Sequence, residues 1–354
     1  MKKISAEIVA DSINPQGDRI TTFLLTFPRF ILAELNTHRV FSKNSASSRA
    51  IPFHKMVDMV EEDPFIPIAW QKDHKGMQGT EYMIGADADQ SKVLWDVSKN
   101  EAVLTAIDLH NHGVTKQLCN RLLEPFMWHT VLLTATEFEN FFKLRCPKYE
   151  YYDMLTGNQQ FFKSKKDWLQ YYNNKPLPKA KHISKIPEND VEWLQINTSQ
   201  AEIHIQALAE AMWDAMNEST PKELKAGEWH IPFSDKIDEE KIKDLKEYFS
   251  GNRNPLKSDD FNYGIKISTA RCARLSYMTF DGKVDYEKDL KLHDTLLESQ
   301  HMSPFEHCAR AMSPLEYRNF TKTTPYPDKN GHTESEGWCN NFKGFIQYRY
   351  LIEN

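Results

Sequence analysis

The sequence is most informative about the fold at residues 37–49, which read THRVFSKNSASSR. Two arginines, one histidine, four serines and one asparagine fall within these thirteen residues, so little of the segment can enter a hydrophobic core. Arginine presents a fixed fork of donors that suits phosphate, and serine hydroxyls and loop amides add further donors. Composition alone leaves two interpretations open: a solvated polar loop, or a surface that binds a phosphorylated ligand.

Apolar patterning predicts regular elements on both sides of this segment. Residues 19–27 (RITTFLLTF) are rich in β-branched and aromatic side chains, which indicates a buried strand, and a short helix follows at 30–35. The periodicity also predicts amphipathic helices and one further strand. The helices are expected at about 91–110, 199–217 and 286–299, and the strand at 309–317. This mixture of elements predicts an α+β protein.

Composition and charge exclude several classes of protein. A chain of 354 residues can bury a sizeable core without disulfides, and a net charge of -6 argues against a dedicated nucleic-acid binder. The N-terminus lacks the apolar core of a signal peptide, and no run approaches the roughly 18 apolar residues that span a membrane. The five scattered cysteines include no CxxC pair. We therefore expect a cytoplasmic protein with free thiols and no membrane association.

Residues 146–187 differ from the rest of the chain because tyrosine, phenylalanine and tryptophan alternate with many lysines. Such a segment suits a lid with stacking rings and cations, or an insertion that packs its rings against the main body. The charged stretch 221–262 has the composition of a surface connector.

Residues 301–307 (HMSPFEH) place two histidines and a glutamate close together. Helical zinc sites use HExxH or HxxEH, and here Ser303 stands where the second pattern needs its first histidine. Pro304 would also break a helix that carried both histidines. The spacing therefore gives no support to a metal hydrolase, and we expect no metal site.

Six segments together resemble the flavin-dependent thymidylate synthase family. Residues 37–50 are similar to its signature RHRxxSxNExSxRY, and 301–307 to its HxTPFEH segment. The remaining four are RCARLSY at 271–277 (family RAARVSF), NRLLEP at 120–125 (ARxxLP), FFKLR at 141–145 (FLxLR) and QAEI at 200–203 (QxEI).

The order of these segments differs from that of the family. In the family the signature follows the RAARVSF and HxTPFEH segments, whereas here the matching residues 271–277 and 301–307 come after it. Moving the portion from about residue 264 in front of the N-terminus restores the family order, which indicates a circular permutation joined through 221–262. The resemblance implies one catalytic domain over 1–354, with a central antiparallel sheet and flanking helices. Residues 146–197 and 319–354 are then additions to it.

The resemblance also implies the reaction and the site. The family transfers a one-carbon unit from methylenetetrahydrofolate to C5 of dUMP, uses FAD reduced by NADPH, and forms homotetramers, so we expect an oligomer. Arg145 would lie against the pyrimidine and stabilise negative charge, as the catalytic residue. The flavin and folate side would be formed by His38, Arg39, Asn140, Ser276, His301 and Ser303. The nucleotide would be bound by Glu34, Ser45, Ser47, Arg49, Arg121 and Arg145.

Four positions depart from the family pattern. Thr37 replaces the first arginine of the signature, Ser45 its glutamate and Ala50 its tyrosine, while Glu34 stands where a glutamine contacts the nucleotide. Glutamate offers only acceptors, unlike the amide. The substrate is therefore expected to be a pyrimidine nucleotide, either dUMP or dCMP, and the product methylated or hydroxymethylated. The alternative is a non-catalytic protein that binds a nucleotide or single-stranded nucleic acid, for which the rings and lysines of 146–187 are suited.

Overall fold

The computed structural model describes residues 2–75, 79–153, 157–174, 185–237, 263–275, 285–323 and 333–354. The strands are β1 (Ser5–Ile13), β2 (Arg19–Pro28), β3 (Ser42–Ser45), β4 (Trp128–Ala135), β5 (Tyr149–Asp153), β6 (Asn158–Phe162), β7 (Lys222–Glu223), β8 (Trp229–His230), β9 (Ala309–Ala311), β10 (Thr321–Thr323), β11 (Glu334–Glu336), β12 (Trp338–Cys339), β13 (Phe342–Lys343) and β14 (Phe345–Gln347). The helices are α1 (Leu32–Asn36), α2 (Phe53–Glu62), α3 (Ala86–Asn111), α4 (Lys116–Cys119), α5 (Glu139–Arg145), α6 (Lys165–Asn174), α7 (Asp190–Gln195), α8 (Ile203–Glu218), α9 (Tyr263–Arg274), α10 (Tyr286–Glu298), α11 (Pro314–Asn319) and α12 (Tyr348–Glu353).

A five-stranded sheet with the order β3-β4-β2-β1-β7 organises the molecule. The three pairs β3–β4, β4–β2 and β2–β1 are antiparallel, and only the two-residue pair β1–β7 is parallel. A second sheet, β14-β9-β8, is antiparallel throughout. The protein is thus α+β with a mainly antiparallel sheet, as its sequence predicts.

The two faces of the central sheet pack against different parts of the chain. Side chains alternate across a strand, so Phe23 and Leu25 face one side and Leu24 the other. The first side forms the largest hydrophobic cluster with α5 and α8. On the second side, Leu24 and Leu132 contact Cys272 of α9. The C-terminal portion therefore packs directly on the N-terminal sheet.

Two sequence-based expectations about secondary structure are corrected. The strand predicted over 309–317 ends at residue 311, because Ser313 and Glu316 form a capping box and Pro314 begins α11. The polar segment 37–49 contains the strand β3, which pairs with the edge of β4 from Ser42 to Ser45. Backbone pairing overrides the low strand propensity of these residues.

Most rings of the segment 146–197 pack against one another. Its hairpin β5–β6 and the helices α6 and α7 enclose one aromatic cluster, whose buried members are Tyr149, Tyr151, Trp168, Tyr172 and Trp193. Tyr152 and Phe161 of the same segment are exposed. The lid and the insertion packed on the main body both stay predictions. In the described part of the chain, no helix is long and apolar enough to span a membrane.

Candidate active site

The signature segment and the end of α5 meet at a histidine and an arginine. The His38 ring is buried between the rings of Phe41 and Phe141, with centroid distances of 5.8 and 4.9 Å. Nε of Arg145 donates a hydrogen bond to Nε2 of His38 at 3.2 Å, and Nη2 donates to Oγ1 of Thr37 at 3.4 Å. Two acceptors thus orient a half-exposed guanidinium at the surface of the sheet.

The electrostatics of this group keep its histidine neutral. Burial, followed by the charges of Arg145 and Lys43, lowers the pKa of His38 to about 4. Nζ of Lys43 donates to the carbonyl oxygens of Leu35 and His38 at 3.3 and 3.2 Å, and burial lowers its pKa as well. Since Nε2 of His38 accepts from Arg145, the ring proton lies on Nδ1. The site therefore presents a fixed cation beside an uncharged ring.

Glu34 lies one helical turn before this group. The Thr37 hydroxyl donates to its backbone carbonyl at 2.7 Å, which ties α1 to the same corner. Its carboxylate oxygen Oε2 is buried and has no hydrogen-bond partner among the described residues. A buried acceptor without a donor is uncommon, and a bound ligand is one way to satisfy it.

A second polar group surrounds Glu124. Oγ of Ser48 donates to Oε1 of Glu124 at 2.5 Å, and Arg29 and Arg121 approach the same oxygen at 3.7 and 4.0 Å. Nδ2 of Asn120 donates to the backbone carbonyls of residues 48 and 51, which holds the end of the signature against the 120–124 segment. The structure thus joins the two segments that carry the predicted phosphate-binding residues. Of these residues, Ser47 is half-buried, and Arg49 and Arg121 are exposed.

The C-terminal segments contact the signature strand directly. Nδ2 of Asn44 donates to the backbone carbonyl of Cys272 at 2.6 Å, which links β3 to the 271–277 motif. Oγ of Ser42 accepts from Nδ2 of Asn341 at 3.0 Å and from Nε2 of Gln347 at 3.3 Å. Asn341 and Gln347 lie in the predicted C-terminal addition, and no local pattern in the sequence indicates that they contact the signature.

The remaining predicted residues lie in different environments. Four of them are exposed. Asn140 lies on α5, Arg39 lies after α1, and His301 and Ser303 lie before β9. Nδ1 of His301 lies 3.2 Å from Oγ of Ser299. Ser45 is half-buried at the end of β3, and the predicted residue Ser276 lies outside the described residues. Among the described residues, Arg39, Asn140, His301 and Ser303 make no hydrogen bond to Arg145.

His307 is buried in a hydrogen-bonded chain behind the sheet. Its Nδ1 lies 2.8 Å from the hydroxyl of Thr134, which lies 2.8 Å from that of Thr22, and this in turn lies 2.8 Å from Nε2 of His230. Burial lowers the pKa of both histidines to about 3. His307 is therefore a buried, hydrogen-bonded residue of the protein interior. In the part of the chain that the structure describes, no group of three or more potential metal ligands occurs.

Cys146, which follows Arg145, is poorly suited to act as a nucleophile. Its side chain is buried in the main hydrophobic cluster, and burial raises the pKa of its thiol far above the usual range. The thiolate is the reactive form of cysteine. Any chemistry at this site would therefore use the charged and polar side chains and not the Cys146 thiol.

No protein-family model matches the sequence, and no curated protein does. Among solved structures, the chain is similar to a UMP/dUMP methylase, PolB from Streptomyces cacaoi, bound with 5-Br UMP. The TM-score is 0.37 and the identity 16%, over 62% of this chain and 90% of the other. A structure of PolB bound with 5-Br dUMP gives a TM-score of 0.30 and 19% identity, over 36% of this chain and 54% of the other.

Proposed function

We propose that this chain transfers a one-carbon unit from methylenetetrahydrofolate to C5 of a pyrimidine deoxynucleotide, with a flavin as the source of hydride. The arrangement of Arg145, His38 and Thr37 carries the proposal. A guanidinium stays protonated at every physiological pH, and here two acceptors orient it. Such a preorganised cation would stabilise the negative charge that develops on the pyrimidine ring when C5 becomes nucleophilic.

The phosphate of the nucleotide would be bound by Ser47, Arg49 and Arg121. Arg121 lies 4.0 Å from Glu124, but its side chain is about half exposed, at 52%. An exposed ion pair at that distance contributes little stability, so a phosphate can replace the carboxylate as the partner of Arg121. Ser48, which bonds to Glu124, would then hold the loop rather than contact the ligand.

The residues proposed for the flavin fit a cofactor that has a ring system and phosphates. His38 and Arg39 would hold it, with Asn140, Ser303 and His301 as further contacts. Arg39, Asn140 and Ser303 are exposed, and their side chains make no hydrogen bond among the described residues. When bound, FAD reduced by NADPH would supply the hydride that completes the methyl group. The chain's own contribution is to orient both ligands and to stabilise charge.

Glu34 bears on the identity of the base. Its carboxylate accepts hydrogen bonds only, and the exocyclic amino group of cytosine is a donor where uracil has an acceptor oxygen. With Oε2 buried and unpartnered among the described residues, a cytosine amino group would satisfy it. This favours dCMP over dUMP. Delivery of the hydride gives a methyl product, and addition of water in its place would give a hydroxymethyl product without consuming the hydride.

A visible absorption titration tests the proposal. The protein is reconstituted with FAD, and dUMP and dCMP are added in turn while the flavin bands are recorded. We expect bound flavin whose bands shift with one nucleotide, and a smaller shift in Arg145→Ala. A protein that retains no flavin after reconstitution would contradict the proposal.

The alternative of a non-catalytic single-strand binder has less support. Base stacking needs exposed rings, and six of the eight rings of the 146–187 segment pack in their own cluster, four of them buried, which leaves Tyr152 and Phe161 exposed. A homotetramer remains part of the proposal, and light scattering of the purified protein would measure it.

A further inference from the structure

A cavity lies between the aromatic insertion and the main body. Its volume is about 460 Å³, within the range of roughly 300–1,000 Å³ that is typical of small-molecule sites. The main body contributes Ile4, which precedes β1, Trp128 from β4 and Ala207 from α8, and the insertion contributes Tyr149 and Trp193. None of Glu34, Thr37, His38 and Arg145 lines it, so it is separate from the candidate active site.

Aromatic rings form much of its wall. Phe65, Trp128, Tyr149 and Trp193 all line the cavity, and Trp128 and Phe65 are already packed edge to face at 5.4 Å. Nε1 of Trp128 is buried and donates to no described residue. Flat apolar walls beside an unused donor suit a planar ring that carries an acceptor atom.

The carboxylates of the cavity already have partners within the protein. Oδ2 of Asp63 accepts from the backbone N–H of Lys2 at 2.7 Å, and Oδ1 of Asp190 pairs with Nζ of Lys165 at 2.7 Å. Glu210 accepts from the Tyr149 hydroxyl at 3.0 Å and from the backbone N–H of residue 165 at 2.6 Å.

Lys2 and Lys3 are exposed and also line the cavity, and neither ammonium group has a hydrogen-bond or ion-pair partner among the described residues. Each carboxylate of the cavity thus accepts a hydrogen bond within the protein, whereas these two ammonium groups have no partner. An anion beside the two lysines would supply one.

We propose that this cavity is a second ligand site, which binds a planar aromatic ring joined to an anionic group. The ring lies among Phe65, Trp128 and Trp193, and the anionic group pairs with Lys2 and Lys3. Phosphate and carboxylate both meet this description, so the ligand belongs either to the mononucleotides or to the ring compounds that carry carboxylates. The site depends on the insertion, because two of its four rings come from residues 146–197.

Equilibrium dialysis of the full chain tests the site, with dUMP and folic acid as probes. The measurement uses the background Arg49→Ala, Arg121→Ala and Arg145→Ala, which lacks the three arginines assigned to the nucleotide, so that binding of dUMP at the candidate active site does not mask binding in the cavity. We expect one probe to bind. The double change Lys2→Glu and Lys3→Glu should weaken it at least tenfold, and Ala207→Phe, which fills the cavity, should abolish it.

Lys92→Glu is the matched control, because Lys92 is an exposed lysine on α3 that does not line the cavity. It should change the affinity less than twofold. Binding of dUMP alone identifies phosphate as the anionic group, and binding of folic acid alone identifies carboxylate. The proposal is overturned if neither probe binds, or if binding survives either the lysine changes or the filling of the cavity.

Discussion

Replacement of Arg145 by lysine separates charge from geometry at the candidate active site. Lysine keeps the positive charge but cannot donate from two fixed nitrogens to His38 and Thr37. Loss of one preorganised donor to a developing negative charge typically lowers kcat by about 10²–10³. We expect a loss of this size in Arg145→Lys, measured as product formed from the nucleotide that shifts the flavin spectrum.

The folded state should tolerate the same change. The two hydrogen bonds, at 3.2 and 3.4 Å, are long and the guanidinium is half-exposed. Bonds of this kind contribute about 0.5–1.5 kcal/mol each, so the free energy of unfolding should fall by no more than about 3 kcal/mol.

The pKa of His38 gives a readout that a purely structural role would not move. The charge of Arg145 is one cause of its depression, so Arg145→Ala should raise that pKa in an NMR titration. Lys143→Ala, an exposed change on the same helix, is the control for both measurements. The reasoning is refuted if Arg145→Lys retains activity within about threefold, or if the His38 pKa does not move.

Three further changes test other parts of the site and fold. Glu34→Gln should shift the preference from dCMP towards dUMP by about tenfold, because an amide can donate to the uracil oxygen; competition kinetics would measure it, and an unchanged preference would contradict this role. Cys146→Ala should retain turnover within about threefold, since the raised pKa of the thiol excludes a thiolate, and a loss of all activity would show that view to be wrong. The free energy of unfolding should fall as the pH drops from 6.5 towards 4. In this range His230 and His307 bind protons in the unfolded chain but stay neutral in the folded protein, where their pKa values are about 3. Urea unfolding at pH 7.5 and 5.0 would show this, and His230→Gln should reduce the difference.

Local sequence patterns predicted the elements that local forces determine. The run at 19–27 became β2 because its β-branched and aromatic residues favour a strand in any context. β3 was not predicted, since its residues 42–45 are polar and its backbone pairs only because β4 offers an edge. The extent of β9 was also misjudged, because the capping box that begins α11 lies inside the predicted strand.

The candidate site depended on longer-range information. His38 and Arg145 are 107 positions apart, and only the resemblance to a family brought them together before the structure was known. Composition could not show that most rings of 146–197 pack against one another, since exposed and buried aromatic clusters use the same residues. The interaction of Glu124 with Ser48 and two arginines likewise has no signature in sequence.

A permuted chain order is compatible with these contacts on energetic grounds. The bonds from Ser42 to Asn341 and from Asn44 to Cys272 close sequence separations of 299 and 228 residues. The entropy of closing a flexible loop rises only with the logarithm of its length, by about 0.6 kcal/mol for each doubling. A single buried hydrogen bond stabilises the fold by about 1 kcal/mol, which offsets the extra closure cost of one doubling in loop length. The central sheet can therefore pack against α9 and β14, which come from the far end of the chain, at little entropic cost. This packing requires the side chains of Ser42 and Asn44, which form the two bonds.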